Sequence, residues 1–304
     1  MSVIKSVTLK VDETKAKSIE AFYQNYKEDN ASEYIIFFAN KSGTTISIYS
    51  SKKDGVYKVV FLGSASLDEA KLFDENAKLN EKKKTAPKKA SWICFENQFG
   101  SDEVGTGDFF GPICVAAALV RESDIARLKQ LGIDDSKRLS DEKIKELGKI
   151  LIKEFIYSQV ALDNEKYNEL IDKGMNINEM KCKLHNQVLL NLKKKFPAVK
   201  NIFVDQFVVE DKYYKYLSDK KAVVKGITFK TKGESYFPCV AVASIIARYY
   251  FLKKMEKLNK KYGRKIPFGA SKKVTAFAQE FVKDFSKEEL VKIIKKNFAN
   301  LNEL

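Results

Sequence analysis

The sequence predicts an α/β protein in which a mixed sheet flanked by helices follows a smaller α+β domain. Three observations support this fold class. In the C-terminal two thirds, a pair of strand-like apolar runs comes first, and further strand-like runs then alternate with helical periodicities. In the first 80 residues, strand-like runs are separated by short turns. A lysine-rich polar stretch divides the two patterns.

The first 80 residues form the predicted small domain. Alternating apolar and polar residues predict a first strand, and glycine-containing turns separate three later ones. The predicted order is a strand over 2–11, a helix over 12–26, strands over 33–40, 44–50 and 56–63, and a helix over 66–79. This order describes an antiparallel sheet that carries helices. It contains no catalytic constellation, so we expect a substrate-binding platform, with a purely structural domain as the alternative.

Residues 81–91, EKKKTAPKKAS, are predicted to be a linker. They are polar, contain Pro87 and show no apolar periodicity. The predicted domains are therefore 1–80 and 92–304.

The larger domain begins with a predicted strand, a tight turn and a fully apolar second strand. Further along, Ser140 followed by two acids is typical of a helix start. Strands are predicted over 97–104, 113–120, 155–162, 201–207 and 223–230. Helices are predicted from 123 or 124 to Gly132, from Ser140, and over 176–196, 235–258, 271–283 and 286–298.

Composition excludes several classes of protein. No apolar run approaches the roughly 20 residues that span a bilayer, and the N-terminus lacks the apolar stretch of a signal peptide. We therefore expect a cytoplasmic protein without membrane contact. The four cysteines, Cys94, Cys114, Cys182 and Cys239, form no CxxC pair, which favours buried reduced thiols over zinc or disulfides.

The charge is strongly basic and unevenly distributed. The formal net charge is +15. Residues 1–85 hold 14 lysines against 12 acids, whereas residues 86–304 hold 41 basic against 28 acidic residues. A basic surface recruits polyanions by releasing counterions, which points to nucleic acid. The alternative is that lysine is simply the default solvated residue of this protein.

Against this basic background, acids stand in three apolar settings. Asp102 and Glu103 end a strand before a glycine-rich turn, Asp205 lies in the apolar run IFVDQF, and Glu234 precedes a largely apolar helix. Burying an unpaired carboxylate is costly, so bound cations explain all three. Magnesium prefers such oxygen ligands, and phosphodiester-cleaving sites gather acids from several segments. Taken singly, Asp205 could be a cap and Glu234 an ordinary helix-start acid.

The stretch GSDEVGTGDFFGP, residues 100–112, resembles the signature of the type 2 ribonucleases H, and specifically of ribonuclease HIII. Ribonuclease HII typically has arginine between the two glycines, where this chain has Thr106. The resemblance continues in order through DDSKRLSD (134–141), KCKLHNQVL (181–189) and KGESYFPCVAVASIIARYYFL (232–252). The resemblance spans about 97–285. Members of the ribonuclease HIII family carry, before the nuclease domain, a small domain that resembles half of the TATA-binding protein, and the predicted order of elements in residues 1–80 is compatible with it.

The resemblance implies a ribonuclease H fold and cleavage of the RNA strand of RNA–DNA hybrids, leaving 5′-phosphate and 3′-hydroxyl ends. It implies two Mg²⁺ ions, with Mn²⁺ as the alternative. The implied catalytic and metal-binding acids are Asp102, Glu103, Asp205 and Glu234. Ribonuclease HII takes its last acid from a later Arg-Asp pair. Because the corresponding ARYYFL has no acid, Glu234 takes that role here, as in ribonuclease HIII.

Further residues of the matching motifs are candidates for substrate binding. The glycine-rich turn lets the backbone come close to ribose 2′-hydroxyls, the groups that distinguish RNA from DNA. The candidates are Gly105, Thr106, Gly107, Ser136, Lys137, Asn186 and Lys232. For the two lysines, the alternative interpretation is an ordinary solvated side chain. In the small domain, Phe37, Tyr49, Tyr57, Lys52 and Lys53 are available to grip the hybrid. The sole histidine, His185, is expected to be structural.

Two other functions remain open at this stage. One is a ribonuclease HII-like enzyme that incises at single embedded ribonucleotides, and the other is a non-catalytic hybrid-binding protein, for which the basic charge would suffice. The intact set of acids argues against the second. We expect a monomer whose partner is the RNA–DNA hybrid, with no obligate protein partner.

Overall fold

A computed structural model of the chain describes residues 5–29, 35–49, 55–80, 92–133 and 139–304. The chain divides into two compact units, Met1–Pro87 and Lys88–Leu304. The division falls inside the predicted linker, whose residues 81–91 lie outside the described residues. No described helix combines the length and apolar character needed to cross a membrane.

The N-terminal unit is a four-stranded antiparallel sheet with the strand order β1-β4-β3-β2. Its strands are β1 (Ser6–Val11), β2 (Ile35–Lys41), β3 (Thr44–Tyr49) and β4 (Tyr57–Leu62). Two helices accompany them, α1 (Glu13–Tyr23) and α2 (Ser66–Lys71). The side chain of Asp12 accepts a hydrogen bond from the backbone of Lys15 and so fixes the start of α1.

The two faces of this sheet differ. Val7, Ile46 and Phe61 are fully buried on one face, where they share a core with Ile19 and Tyr23 of α1. The alternate residues of each strand point to the opposite face. One row of that face holds Thr8, Val60, Ser47 and Phe38, paired in this order across the four strands.

The predicted helix over 66–79 is too long. The helix α2 ends at Lys71, and the chain then turns back to the sheet. Leu79 forms a bridge with Val7, and the amide of Asn80 donates a hydrogen bond to the carbonyl of Ser6. Pairing with β1 therefore replaces the last predicted turns of the helix.

The C-terminal unit contains a five-stranded mixed sheet with the order β7-β6-β5-β8-β9. β5 pairs antiparallel with β6 and parallel with β8. The strands are β5 (Asn97–Val104), β6 (Ile113–Arg121), β7 (Ile156–Leu162), β8 (Asn201–Asp205) and β9 (Ile227–Lys230). This mixed sheet with flanking helices confirms the predicted fold class.

Helices cover both faces of the mixed sheet. They are α3 (Ile125–Gln130), α4 (Asp141–Glu154), α5 (Asn164–Asp172), α6 (Ile177–Lys195), α7 (Glu210–Lys215), α8 (Pro238–Tyr262), α9 (Lys272–Asp284) and α10 (Lys287–Val291). One buried core joins the sheet to α4 and α8, and a second joins the opposite face to α6. The strand β6 is buried on both faces, which explains its unbroken apolar run.

The long helix α8 lies directly against the central strand β5. A Cβ atom at Gly100 would come within 2.3 Å of the backbone nitrogen of Val240, so only glycine fits there. This close approach brings the beginning of α8 next to the end of β5, where the signature acids lie.

Several predicted boundaries change for identifiable reasons. The strand predicted over 223–230 begins only at Ile227, and the helix predicted over 286–298 ends at Val291. Beyond that helix, Ile294 pairs with Phe110 in a β-bridge, and this tertiary pairing replaces the remaining turns. The helices α5 and α7 were not predicted. All four cysteines are free, three of them buried, while Cys94 is only partly buried.

Candidate active site

Two of the predicted acids lie side by side on neighbouring strands. Ser101 of β5 pairs with Val204 of β8 in parallel register, so the next residues, Asp102 and Asp205, are adjacent. Paired strands lie about 4.8 Å apart, which brings both carboxylates to the same end of the sheet. The fold therefore brings together two acids that are about 100 residues apart in the chain.

Glu234 belongs to a single 3-10 turn, Gly233–Ser235, that precedes α8. The backbone amide of Gly233 donates a hydrogen bond of 2.8 Å to the Oδ1 atom of Asp205. The indole of Trp92 donates to the carbonyl of Glu234 at 3.3 Å. The backbone of Glu234 thus lies one residue from a direct contact with Asp205.

Asp102 lies in an environment that disfavours its charge. Only 8% of the residue is exposed. Burial first, and then the negative charges of Glu103 and Asp205, raise the pKa of the Asp102 carboxyl well above its ordinary value. Hydrogen bonds from Ser244 of α8 and from the backbone of Glu103 oppose this shift. Three carboxylates therefore repel one another at a buried position.

Glu103 has the opposite electrostatic balance. Its Oε1 atom lies 2.6 Å from the Nζ atom of Lys181, and its Oε2 atom lies 2.9 Å from Nε2 of His185. Burial would raise the pKa of Glu103, but the hydrogen bond and charge of His185, together with Lys181, outweigh it and hold the pKa below its usual value. Glu103 is thus a buried carboxylate held ionised by α6.

His185 connects two elements of this site. Its Nδ1 atom lies 2.8 Å from the hydroxyl of Ser101, and its ring stacks on Phe207 with centroids 5.1 Å apart. The residue is fully buried and both ring nitrogens have partners, which suits the structural role expected for it. Sequence reasoning missed that its partner is Glu103. The spacing of four between Lys181 and His185, which puts both on one face of a helix, was the available signal.

The signature turn has one buried and one open glycine. Gly105 has φ +98°, and a Cβ atom there would lie 2.2 Å from the carbonyl oxygen of Pro112, so its bare backbone serves packing. Gly107 is exposed, and a Cβ atom there would meet none of the described residues within 4 Å. Of the predicted turn residues, Gly107 and half-buried Thr106 can therefore face a substrate.

The other predicted substrate residues fall into different categories. Ser136 and Lys137 lie outside the described residues. Lys232 is exposed beside the turn that carries Glu234, with φ +59°. Asn186 is buried, and its amide binds the carbonyl of Ala222 and the amide of Val224, a geometry that suits a structural role in holding the segment before β9.

The candidate contacts of the small domain need one correction. Phe37 is 2% exposed and belongs to the core beneath the sheet, so it is unavailable to a substrate. Tyr57 also packs against that core. Tyr49 alternates onto the opposite face, where the Nζ atom of Lys58 lies 5.6 Å from its ring centre. Lys52 and Lys53 lie outside the described residues.

The donor set suits a divalent cation of the magnesium class. Oxygen ligands dominate, and a cation would relieve the mutual repulsion that raises the pKa of Asp102. Within the described parts of the chain, however, no three His, Cys, Asp or Glu residues lie close enough to hold one ion together. The two oxygens of Glu103 instead face Lys181 and His185.

Comparisons with known proteins identify the family of the chain. The family model described as Ribonuclease HII matches residues 99–301, and a domain of unknown function, DUF3378, matches residues 6–86. Ribonuclease HIII of Bacillus cereus (strain ZK / E33L) is 39% identical over 307 residues, covering 97% of this chain and 96% of that protein.

Solved structures give the same result. Bst-RNase HIII in complex with Mn²⁺ is 33% identical, with a TM-score of 0.67 over 98% of this chain and 97% of that one. RNase H3 of Aquifex aeolicus, at 23% identity and a TM-score of 0.54, covers 98% of this chain and all of that one, and it supports the fold alone.

Proposed function

The chain belongs to the ribonuclease HIII family, and on that premise we propose that it cuts the RNA strand of RNA–DNA hybrids at the Asp102 end of its central strand. It is a ribonuclease H, a hydrolase of phosphodiester bonds, and its cofactor is a divalent metal ion.

The observation that carries the proposal is the adjacency of Asp102 and Asp205 on parallel strands, with Glu103 beside them. Carboxylates crowded at a buried strand end are costly to ionise, and once ionised they repel a phosphate, unless cations lie between them. Such an arrangement suits a phosphodiesterase that loads metal ions and does not suit a passive hybrid binder.

The proposed metal-binding residues are Asp102, Glu103, Asp205 and Glu234. Bound Mg²⁺ or Mn²⁺ would supply an activated water and charge stabilisation for the leaving 3′ oxygen, so that 5′-phosphate and 3′-hydroxyl ends result. The protein residues orient this set. Ser244 and the amide of Gly233 hold the two aspartates, while Lys181 and His185 hold Glu103 ionised.

Substrate recognition is proposed to use the tip of the signature turn and the N-terminal sheet. Gly107 is open enough for its backbone to approach a ribose 2′-hydroxyl. The outer face of the N-terminal sheet, with Tyr49 and Lys58, is proposed to contact the grooves and backbone of the hybrid. Exposed Lys232 is proposed to contact phosphate. Action as a monomer and a cytoplasmic location stay predictions.

The test is the variant Asp102→Asn, assayed for cleavage and for binding separately. Loss of the ligand charge should lower kcat by about 100-fold or more, since even groups that only orient metal ligands contribute 10- to 100-fold. Binding to a labelled hybrid in EDTA should persist. Asp163→Asn is the matched control, because that exposed acid only pairs with Lys254 on the surface. Unchanged cleavage by Asp102→Asn would contradict the proposed site.

A second substrate distinguishes this enzyme from a ribonuclease HII-like one. Thr106 stands where ribonuclease HII typically has arginine. We therefore expect efficient cutting of a run of ribonucleotides and poor incision at a single ribonucleotide in duplex DNA. Equal rates on the two substrates would favour the alternative.

A further inference from the structure

The signature segment between β5 and β6 has an open tip, Thr106 and Gly107, and a base, residues 108–111, that is held by hydrogen bonds. Phe109 and Phe110 at the base are fully buried. The base pairs with a C-terminal segment, Ile293–Lys295. The amide of Gly111 donates to the carbonyl of Ile293, Phe110 bridges Ile294, and the amide of Lys295 donates to the carbonyl of Phe109.

The side chain of Lys295 reaches back into the same segment. Its ammonium donates hydrogen bonds to the carbonyl of Asp108 at 2.7 Å and to the carbonyl of Gly111 at 2.5 Å. These carbonyls lie on both sides of the Phe109-Phe110 pair, so one cation clamps the two ends of the base. The amide of Asn164 donates to the same Gly111 carbonyl at 2.9 Å.

Burial makes this clamp unusual for a lysine. Lys295 is 0% exposed, a setting that lysine seldom occupies unless its donors are used. Burial lowers the pKa of Lys295 to about 7, and the charge of Asp108 and the Cys114 thiol oppose the shift. Tyr167 lies on its other side, with its ring centre 6.0 Å from the ammonium. A solvated lysine would cost nothing, so this position points to a specific use of the donors.

We propose that Lys295 is a positioning residue for substrate selection: it fixes the base of the signature turn, so that the open tip at Thr106 and Gly107 meets the ribose at a constant distance. This inference rests on the proposed ribose contact of that tip. Lys295 itself is buried and touches no substrate.

The carboxylates do not depend on this clamp. Asp102 and Asp205 are placed by the pairing of β5 with β8, and Glu103 is held by α6. Loss of the clamp should therefore disturb recognition of the 2′-hydroxyl more than it disturbs the acids. The expected signature is a weaker preference for hybrid over DNA together with a raised KM.

The experiment uses the full chain with Lys295→Met, which shortens the side chain by one atom and removes its ammonium donors while the backbone amide stays in place. Lys296→Met is the matched control, because the side chain of the neighbouring lysine pairs with exposed Asp172 and its backbone bond to Asn168 is unaffected by the change. Affinities for a labelled RNA–DNA hybrid and for the DNA duplex of the same sequence are measured in EDTA, and kcat and KM are measured with Mg²⁺. Circular dichroism checks the fold.

Lys295→Met should lower the ratio of hybrid to DNA affinity by about tenfold, which corresponds to about 1.4 kcal/mol. It should raise KM by more than it lowers kcat, and Lys296→Met should match the unmodified protein. An unchanged affinity ratio in folded Lys295→Met would overturn the inference, even if cleavage were lost.

If Lys295→Met does not fold, Asn164→Ala provides the same test, because it removes the other side-chain donor to Gly111. It should shift the affinity ratio in the same direction by a smaller factor, and an unchanged ratio would again reject the inference. Should the unmodified protein neither prefer nor cut the hybrid, the proposed function fails instead, which is a separate outcome.

Discussion

The two sheets of this protein are covered differently, and the difference matches the separate roles proposed for them, substrate recognition and phosphodiester cleavage. The N-terminal sheet buries one face against α1, while residues such as Tyr49 and Lys58 alternate onto the other. The C-terminal sheet is covered by helices on both faces. Only the strand ends of the covered sheet can then hold reactive groups, and Asp102 and Asp205 lie at such ends. A sheet with one open face can bind a ligand on that face, whereas a sheet covered on both faces can present reactive groups only at the ends of its strands.

The largest effect is expected on stability, from a substitution between the C-terminal sheet and α8. Gly100→Ala places a methyl group 2.3 Å from the backbone of Val240, where neither β5 nor α8 can yield easily. We expect a loss of about 3 kcal/mol or more in the free energy of unfolding, or about 6–12 °C in Tm, measured by thermal unfolding. Gly107→Ala, which meets open space, should leave Tm unchanged. Equal Tm values for the two variants would refute the close packing.

The next largest effect is expected from the contact that orients Glu103 at the end of β5. His185→Ala removes a hydrogen bond from Glu103 and one from Ser101. We expect kcat to fall about 10- to 100-fold and the Mn²⁺ concentration for half-maximal activity to rise, as for other groups that orient metal ligands. Gln187→Ala, exposed on the same helix, is the control. A kcat that falls without any change in the metal requirement would argue that His185 only stabilises the fold.

The pH dependence of the free energy of unfolding would test the burial of Lys295. Lys295 has a folded-state pKa of about 7, and Asp108, Cys114 and Tyr167 are the titratable groups around it. Between pH 7 and the ordinary lysine range, the unfolded chain binds more protons. The free energy of unfolding should therefore rise with pH by up to about 1.4 kcal/mol per unit, relative to Lys295→Met.

The burial penalty of Lys295 is fully present below pH 7 and disappears as the pH rises through the unfolded-state pKa. Cys114 and Tyr167 each have a pKa raised to about 12 by burial, so they stay neutral across this window. Parallel stability curves for the unmodified protein and Lys295→Met would contradict the prediction.

The smallest effect would test the open face of the N-terminal sheet. Lys58→Glu reverses a charge on that face, and we expect KM for the hybrid to rise about threefold with kcat unchanged, on the scale of one lost phosphate contact. The salt dependence of binding should also weaken. Lys17→Glu lies on α1, which packs against the other face, and should have no effect. Equal KM values for both variants would show that the face is not used.

Local patterns in the sequence predicted much of this fold. The strand β6 and the helix α6 were predicted within a residue or two, because an unbroken apolar run and an amphipathic stretch are properties of neighbouring residues. The boundaries that failed, at α2 and α10, are places where the chain leaves a helix to pair with a distant strand or turn. No local pattern carries that information.

The candidate site likewise has features that the sequence indicates and features that depend on tertiary packing. The sequence indicated the acids only as a set, from their apolar settings and from the resemblance of the signature, and the structure brings Asp102, Glu103 and Asp205 together. The spacing of Lys181 and His185 indicates that they share one face of α6, but it does not identify Glu103 as their partner, because Lys181 reaches Glu103 only when α6 docks on the sheet. Asn186 has the residue type of a substrate contact, yet its amide is taken up by Ala222 and Val224. Residue type indicates what a group can do, and packing decides which partner it meets.

The bridge between Phe110 and Ile294 has a consequence for the order in which the enzyme is made. A ribosome releases the signature segment long before it releases residues 293–295. The loop closed by this contact is among the longest between described residues, and it cannot close until the chain is nearly complete. The acids can assemble on their strands while the turn is still unsecured. On the proposed roles of these residues, a growing chain would acquire its metal-binding acids before it acquires a secured turn for contact with the ribose.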